Sequence, residues 1–405
     1  MSTSALRVIS DPVSLSAAWK HIRRQARKEN GGSSGVDRQR PIDFKHNESA
    51  NIDNLVVLLS SGSYRFRDLR VTFIEKPGGG TRIICIPTVR DRIVQRALLH
   101  FLTADDKCGI LNTVSYGFTK NCTVHDAASD GVRLRNQKRW VYKTDITSFF
   151  DNIDRDTLKA VIRRKVRHRS LHRLLIDAAC REIYEPNRTR ATRAKKNGIK
   201  SGKGVRQGMP LSPFFSNLFL HEFDRAVENA KVSMVRYADD LIVLCDSRNE
   251  CLDVDKFCRE HLGKRGLELP PITGTGKTRI YEPNQTAEFL GLGLIPDGKK
   301  YKLDLTSDQK EKIKRRMRQF GSIDYLAQNH VNIFNFGRKI DGVTAGYLGS
   351  YANCASIDKL EKSLDELRSQ ITHKLFKDTF NIDVSALGKS SRAFLCLPLK
   401  KPATT

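Results

Sequence analysis

The chain has 405 residues, with 71 Lys+Arg against 45 Asp+Glu, a formal charge of +26. That length holds about two or three domains and a large buried core, and a 39% hydrophobic content excludes a disordered chain. No apolar run approaches the ~20 residues of a membrane span, and the N-terminal MSTSALRVIS lacks the apolar core of a signal peptide. The nine cysteines are dispersed, with no C-x-x-C pair, which argues against a disulfide framework or a structural zinc site and for a reducing cytosol. The excess of positive charge points to a polyanion, most often nucleic acid.

In chain order, Leu15, Ala18, Trp19 and Ile22 recur at helical spacing and predict a helix over Val13–Lys28, stopped by the Gly/Ser-rich run at 30–35. Residues 70–87 (RVTFIEKPGGGTRIICIP) read as two strands about a hairpin tip at Pro77–Gly80, followed by a helix over Asp91–Leu102. WVYKTD (Trp140–Asp145) is a short strand ending in an acid. Basic helices are predicted over Asp154–Arg167 and Ser170–Ile183, and the cation-rich stretch 187–203 reads as an exposed loop. An amphipathic helix is expected over Leu211–Lys231. VSMVRYADDLIVLCD then reads as a hairpin with acids at its tip. A helix over Arg248–Lys264 and strands near Lys277–Tyr281 and Glu288–Leu294 follow. After Pro296-Asp297-Gly298 the pattern becomes helical, at about 306–320, 322–330, 332–352 and 356–377, and the remainder to LPLKKPATT reads as a weakly ordered tail. Trp19, Tyr64, Phe66 and Trp140 are expected to be core residues rather than base-stacking platforms.

The sharpest local feature is Tyr237-Ala238-Asp239-Asp240. Neighbouring side chains in a strand point to opposite faces, so two adjacent acids converge only at a turn, which a hairpin tip supplies. Asp145, at the end of another strand, adds a third carboxylate. Three clustered carboxylates repel one another unless cations neutralise them. Oxygen-only ligands favour Mg²⁺, and a pair of such ions suits phosphoryl transfer. An isolated Asp-Asp in a turn more often merely decorates it. Residues 204–224 (GVRQGMPLSPFFSNLFLHEFD) form a Gly/Pro-defined loop entering a helix, small enough for a base or sugar to approach the backbone. Gln207 is a neutral hydrogen-bonder suited to a sugar hydroxyl. GTGKT at 274–278 lacks the first glycine of a Walker A loop, since residue 271 is proline, and an ATPase is rejected.

Taken together, these blocks resemble reverse transcriptases of the bacterial group II intron lineage. The resemblance spans roughly residues 13–350. GSSGVD at 32–37, the 73–99 block, SYGFTKNCTVHDA, YKTDITSFFDNI, GVRQGMPLSPFFSNLFL, YADD, and Lys277-Thr278-Arg279 with AEFLGLGL stand in the family's order. It implies an α+β right-hand polymerase: an N-terminal extension over 1–40, fingers and a ferredoxin-like palm over 41–300, an α-helical thumb over 301–380 and a basic tail over 381–405. It implies that Asp145, Asp239 and Asp240, with the Ile146 carbonyl, hold two Mg²⁺, with Mn²⁺ as a substitute. It further implies that Lys76 and Arg82 contact the triphosphate, Gln207 lines the sugar pocket, Phe150 excludes a ribose 2′-OH, Lys277 is a proton donor or phosphate contact, and Phe289, Leu290 and Gly291 grip the primer.

The sequence shows no Cys-rich or His/Asn-type nuclease module after the thumb-like helices, no Asn-Ala-x-x-His after the pocket block and no Val-Thr-Gly in the primer-grip region. The expectation is a stand-alone, defence-associated enzyme of the bacterial cytoplasm, of the class-2 antiphage type, which copies a structured non-coding RNA into cDNA from dNTPs. An RNA-directed RNA polymerase and an intron-type maturase or RNA-binding scaffold are the alternatives, and the oligomeric state is left open. The positive charge concentrates at 163–173, 187–203 and 310–318. Arg188, Arg190, Arg193, Lys195, Lys196 and Lys200 are the candidate contacts to a dedicated RNA, and Lys312, Arg315 and Arg316 the candidate contacts to the template–primer backbone.

Overall fold

Between Leu69 and Ile86, β-favouring residues alternate about a glycine-rich centre, and the segment folds back on itself. In the computed structural model, which describes residues 4–28, 31–76, 79–274, 276–395 and 397, β1 (Leu69–Glu75) runs antiparallel to β2 (Thr81–Ile86), with Glu75 opposite Thr81. Pro77 and Gly78 of the expected tip lie outside the described residues. β3 (Trp140–Asp145) matches the strand read from WVYKTD. β4 (Ile183–Tyr184) adds to β1 in parallel. β5 (Met234–Tyr237) and β6 (Asp240–Cys245) form the acid-tipped hairpin, and β7 (Arg279–Tyr281) completes a four-stranded sheet in the order β5-β6-β3-β7. β8 (Ala287–Phe289), β9 (Leu292–Asp297) and β10 (Lys300–Asp304) form an antiparallel meander. The α+β class expected from the sequence is what the chain forms.

Four readings change. Residues 187–203 are not a loop throughout: Arg188–Lys196 is a helix, because Asn187 accepts from the Arg190 amide as a cap and Ala194 is buried beneath it. The helix expected over Ser170–Ile183 is shorter, His172–Ala179, because Ile183 and Tyr184 pair with β1 instead. The first helix of the C-terminal region starts at Ser307, as expected, but Lys300–Asp304 before it forms a strand on β9 that the sequence reading lacks. The helix Ser212–Asn229 is amphipathic in its second half, with Glu222, Arg225 and Asn229 exposed, but is buried all round over 214–221, its polar Ser216, Asn217 and His221 included. In the expected tail, Val384 and Arg392 are buried, and Arg392 donates to the Val384 carbonyl.

The chain divides into two compact units, Met1–Ala127 with Tyr142–Ile280, and Ala128–Val141 with Tyr281–Thr405. The first is built around Trp19, Phe44, Phe215, Phe219 and Phe223. Trp19 packs 4.7 Å from Phe44. Tyr64 and Phe66 are buried too, while Trp140 is half-buried. No helix among the described residues is long and apolar enough to cross a membrane.

The second unit packs four helices, Ser307–Arg318, Ile323–Gln328, Ile333–Ser350 and Ile357–Phe380, with the β8–β10 meander. Its organising side chain is Arg135. Fully buried, Arg135 donates to the carbonyls of Leu294 (2.6 Å), Glu282 (3.0 Å) and Gln285 (2.7 Å), and its guanidinium lies 4.2 Å from the Tyr301 ring centre. Burial pulls its pKa down to about 10. A lysine cannot reach three carbonyls in one plane while stacking on a ring. Arg135→Lys is therefore expected to destabilise this unit by roughly 2–5 kcal/mol, at ~1–3 kcal/mol for each buried carbonyl left unpaired. Thermal denaturation checks it, and an unchanged melting temperature refutes it.

Candidate active site

The acid-bearing hairpin closes in two residues. Tyr237 pairs with Asp240, and Ala238 takes a left-handed φ of 58° at the turn. That conformation is costly for alanine, so the surroundings must fix it. They do so through Arg236, which has no exposed surface. Its guanidinium donates to Asp224 Oδ1 (2.7 Å) and Oδ2 (2.5 Å), to Ser115 Oγ (2.7 Å), to Asn217 Oδ1 (3.2 Å) and to the Ala238 carbonyl (2.9 Å). The segment Val114–Gly117 lies along β5, exchanging backbone hydrogen bonds with Arg236. Gly117 ends against the turn, where a Cβ would fall 2.3 Å from the Ala238 nitrogen. No side chain fits there.

β3 is stitched to the same turn. The Ile146 amide donates to the Asp239 carbonyl (2.9 Å), the Thr147 amide to the Glu268 carbonyl (2.9 Å), and Thr144 and Thr278 share a hydroxyl hydrogen bond of 2.7 Å. Asp145, Asp239 and Asp240 thus come from two adjacent strands and one turn. Burial raises the pKa of Asp239, with Asp145 adding to it while Lys277 and Arg82 oppose. Burial likewise pushes Asp240 up to about 6, opposed by Lys143 and reinforced by Asp239 and Asp145. Lys277 donates to Asp145 Oδ2, and Lys143 stands 3.6 Å from Asp240 Oδ1.

Among the described residues, no three His, Cys, Asp or Glu side chains stand as a ready-made metal cage. The lysines hold two of the three carboxylates. Yet Asp145 Oδ1 and Asp240 Oδ1 are buried without a hydrogen-bond partner. Carboxylate oxygens that are buried and unpartnered suit a hard divalent cation, and the oxygen-only donor set fits one.

A second group of residues meets beside the acids. Phe150 lies on the short helix Phe149–Asn152, 5.3 Å from Phe149 between ring centres. Its carbonyl accepts from the Val205 amide (2.8 Å), and the Gly204 amide donates to the Ile153 carbonyl (2.9 Å). Two residues on, the Gln207 carbonyl accepts from the Cys85 amide of β2 (2.7 Å). At Gly208 (φ 107°) a Cβ would fall 2.6 Å from the Cys85 carbonyl oxygen. The loop 204–208 therefore ties Phe150 and Gln207 to the hairpin that carries Lys76 and Arg82, both exposed.

The remaining candidates lie elsewhere. Leu290 and Gly291 form a left-handed turn (φ 55° and 78°) between β8 and β9 in the second unit, with Phe289 buried at its base. Lys312, Arg315 and Arg316 are exposed on Ser307–Arg318, opposite the buried Ile313 and Met317, and Lys312 pairs with Asp308 (2.5 Å). Arg188, Arg190, Arg193, Lys195, Lys196 and Lys200 are all exposed, and Arg190 and Arg193 also bond to β1. Ile146 has a fully buried side chain.

Sequence reasoning missed Arg236, Asp224, Asn217, Ser115, Gly117 and Lys143. A signal was present: an arginine inside the apolar strand Met234–Tyr237 and an aspartate inside an apolar helix each demand a buried partner.

Residues 74–294 match the reverse transcriptase (RNA-dependent DNA polymerase) family. Among curated proteins, the chain is 29% identical to Protein YkfC of Escherichia coli K12 over 73% of this chain and 84% of that one. It is 28% identical to the group II intron-encoded protein LtrA of Lactococcus lactis subsp. cremoris, over 47% of this chain and 30% of LtrA. It is 28% identical to the retron Ec83 reverse transcriptase of Escherichia coli, over 44% of this chain and 54% of that one. The chain thus spans most of YkfC but about a third of LtrA and about half of the retron enzyme.

The buried Arg236–Asp224 pair yields a stability prediction. Arg236→Gln strands a carboxylate in the core and should cost about 3–5 kcal/mol, lowering the melting temperature by roughly 10 °C. The double variant Arg236→Met/Asp224→Leu should recover most of that loss, because it leaves no buried charge unpaired. Thermal denaturation of the three proteins decides; equal melting temperatures for wild type and Arg236→Gln would sink the idea.

Proposed function

This chain belongs to the reverse transcriptase family, and from that premise we propose that it extends a 3′-hydroxyl with dNTPs on an RNA template, using Asp145, Asp239 and Asp240 to hold two Mg²⁺ ions. The observation that carries the reading is the electrostatic coupling of three carboxylates on adjacent strands and one turn, two with a buried oxygen lacking a hydrogen bond, near a loop that joins Phe150 and Gln207 to the Arg82-bearing hairpin. Residues 41–300 then serve as fingers and palm and 301–380 as thumb. When bound, the ions activate the 3′-hydroxyl and stabilise charge on the leaving pyrophosphate.

The chain's own residues do the rest. The backbone of Asp239 and Asp240 is fixed by the turn, and that beside Asp145 by the Ile146–Asp239 hydrogen bond, whereas Lys277 must leave Asp145 and Lys143 withdraw from Asp240 for the ions to be held. Lys76 and Arg82 spread the charge of the triphosphate. Lys277 reaches Asp145 from an exposed position and is placed to contact a phosphate or give up a proton. The Phe150 ring crowds the 2′ position of the sugar, and Gln207 hydrogen-bonds its hydroxyl. Phe289, Leu290 and Gly291 position the primer end.

We further propose that the template is a structured non-coding RNA and that the cDNA serves antiphage defence in the bacterial cytoplasm. The similarity to a retron reverse transcriptase supports this, as does a positive charge far larger than the active site uses.

Asp239→Asn/Asp240→Asn should reduce extension of an oligo(dT)–poly(rA) substrate to background while RNA binding persists. Extension by that variant at the wild-type rate would refute the catalytic assignment. Phe150→Ala should weaken discrimination against rNTPs by roughly tenfold or more, the value of one lost steric wall. Competing incorporation of dTTP and UTP measures it. For the defence reading, phage plating is compared between cells carrying the wild type and the double Asp variant, alongside sequencing of co-purified RNA and cDNA. Equal plating and no enriched RNA would reject it.

A further inference from the structure

The sequence reading placed Arg190 and Arg193 among the contacts to RNA. Both are exposed, and both also pack against the hairpin. The helix Arg188–Lys196 lies along one face of the β1–β2 hairpin, the face that presents Phe73 and Glu75, two residues apart on one strand. The Arg190 guanidinium stands 5.2 Å from the Phe73 ring centre and donates to the Val71 carbonyl (2.9 Å) and to Glu185 (2.8 Å). The Arg193 guanidinium stands 4.6 Å from the same ring. Arg193 also pairs with Glu75 on β1 and reaches Thr81 Oγ1 on β2 (3.4 Å). Thr81 in turn donates to Glu75 (3.0 Å). One helix thus holds both strands at the end of the hairpin, next to Lys76 and Arg82.

The segment carrying this helix is tied down at both ends. It enters through β4, which pairs with β1 at Leu69 and Arg70. It leaves through Gly202, whose amide donates to Glu182 (2.9 Å), and through the buried Arg206, which donates to Glu182 (2.7 Å) and to the Lys200 carbonyl (2.7 Å). It then returns to β2, where the Gln207 carbonyl meets the Cys85 amide. Residues 183–207 therefore form a strap running from the root of the hairpin to its end and back.

We propose that Arg190 and Arg193, through Phe73 and Glu75, are positioning residues for the incoming dNTP: they fix the hairpin that presents Lys76 and Arg82 and are not contacts to RNA. This rests on the reading that Lys76 and Arg82 face the triphosphate. Five donors in a planar fork let each arginine stack on a ring and pair at its edge together, which suits a strut. Both arginines keep exposed surface and spare N–H donors, so a strut and a phosphate contact are told apart by their salt dependence.

The full-length chain is assayed on oligo(dT)–poly(rA) with dTTP, and its binding to a 5′-labelled RNA hairpin is measured across a salt series. Arg190→Gln/Arg193→Gln should raise KM for dTTP about fivefold or more, with kcat less affected. RNA affinity should change less than about twofold, with the slope against salt preserved; a true phosphate contact would lower that slope by about one for each cation lost. Phe73→Leu alters no charge and should also raise KM, which keeps the test decisive if the double variant folds poorly. Arg193→Lys, which keeps the pairing with Glu75 but loses the planar stack, should recover part of the effect. An unchanged KM in Phe73→Leu and in the double variant overturns the proposal. Arg82→Gln is the control: if it leaves KM unchanged, the triphosphate reading itself has failed, and the two failures are told apart.

Discussion

The acid-bearing turn depends on one buried charge pair. Arg236 and Asp224 have no exposed surface, and the arginine's remaining donors reach the turn itself through the Ala238 carbonyl. A buried ion pair gains little net stability over apolar packing, because desolvation offsets most of the Coulomb attraction. Its effect here is geometric. It holds an alanine in a left-handed conformation and so brings two consecutive acids to one edge of the sheet. Four stretches of chain meet to do this: residues 114–117, the helix Ser212–Asn229, β5 and the end of β3.

That geometry gathers negative charge in a place that resists it. Burial raises both Asp239 and Asp240; Asp145 adds to both, and Asp239 adds to Asp240. The site answers with cations from three places: Lys143 on β3, Lys277 in the bend before β7, and Arg82 on the hairpin. The same arrangement that strains the carboxylates makes them strong ligands for a divalent cation and leaves positive groups nearby for a triphosphate.

Much of this was legible in the residues. Strand and helix periodicity located β1, β2, β3, β5, β6 and the helix Arg248–Gly263 within a few positions, and the three acids stood out because they interrupt apolar strands. The failures have physical causes. Residues 187–203 hold seven cations and few apolar side chains, so composition alone reads as solvent-exposed loop. Only the tertiary partners Phe73 and Glu75, more than a hundred residues away in sequence, give that helix something to pack on. β4 and β10 were missed because short strands take their stability from a neighbour's unpaired edge, which local sequence does not display. Arg236 carries as much information as the acids, because a lone cation in an apolar strand demands a buried partner.

The join between Gln207 and Cys85 consists of main-chain atoms alone. A change of either side chain therefore leaves the donor and the acceptor of this connection in place, whatever else it disturbs at the buried Cys85 or at Gln207. Alanine scanning would pass over it in silence. Among single natural substitutions at position 85, proline alone deletes the donor, and an amide-to-ester replacement there would remove that one hydrogen with almost no change in shape. The connection is thus a candidate for trait preservation without sequence signature: a mechanical linkage that comparison of homologous residues will tend to undercount, and that backbone chemistry can expose.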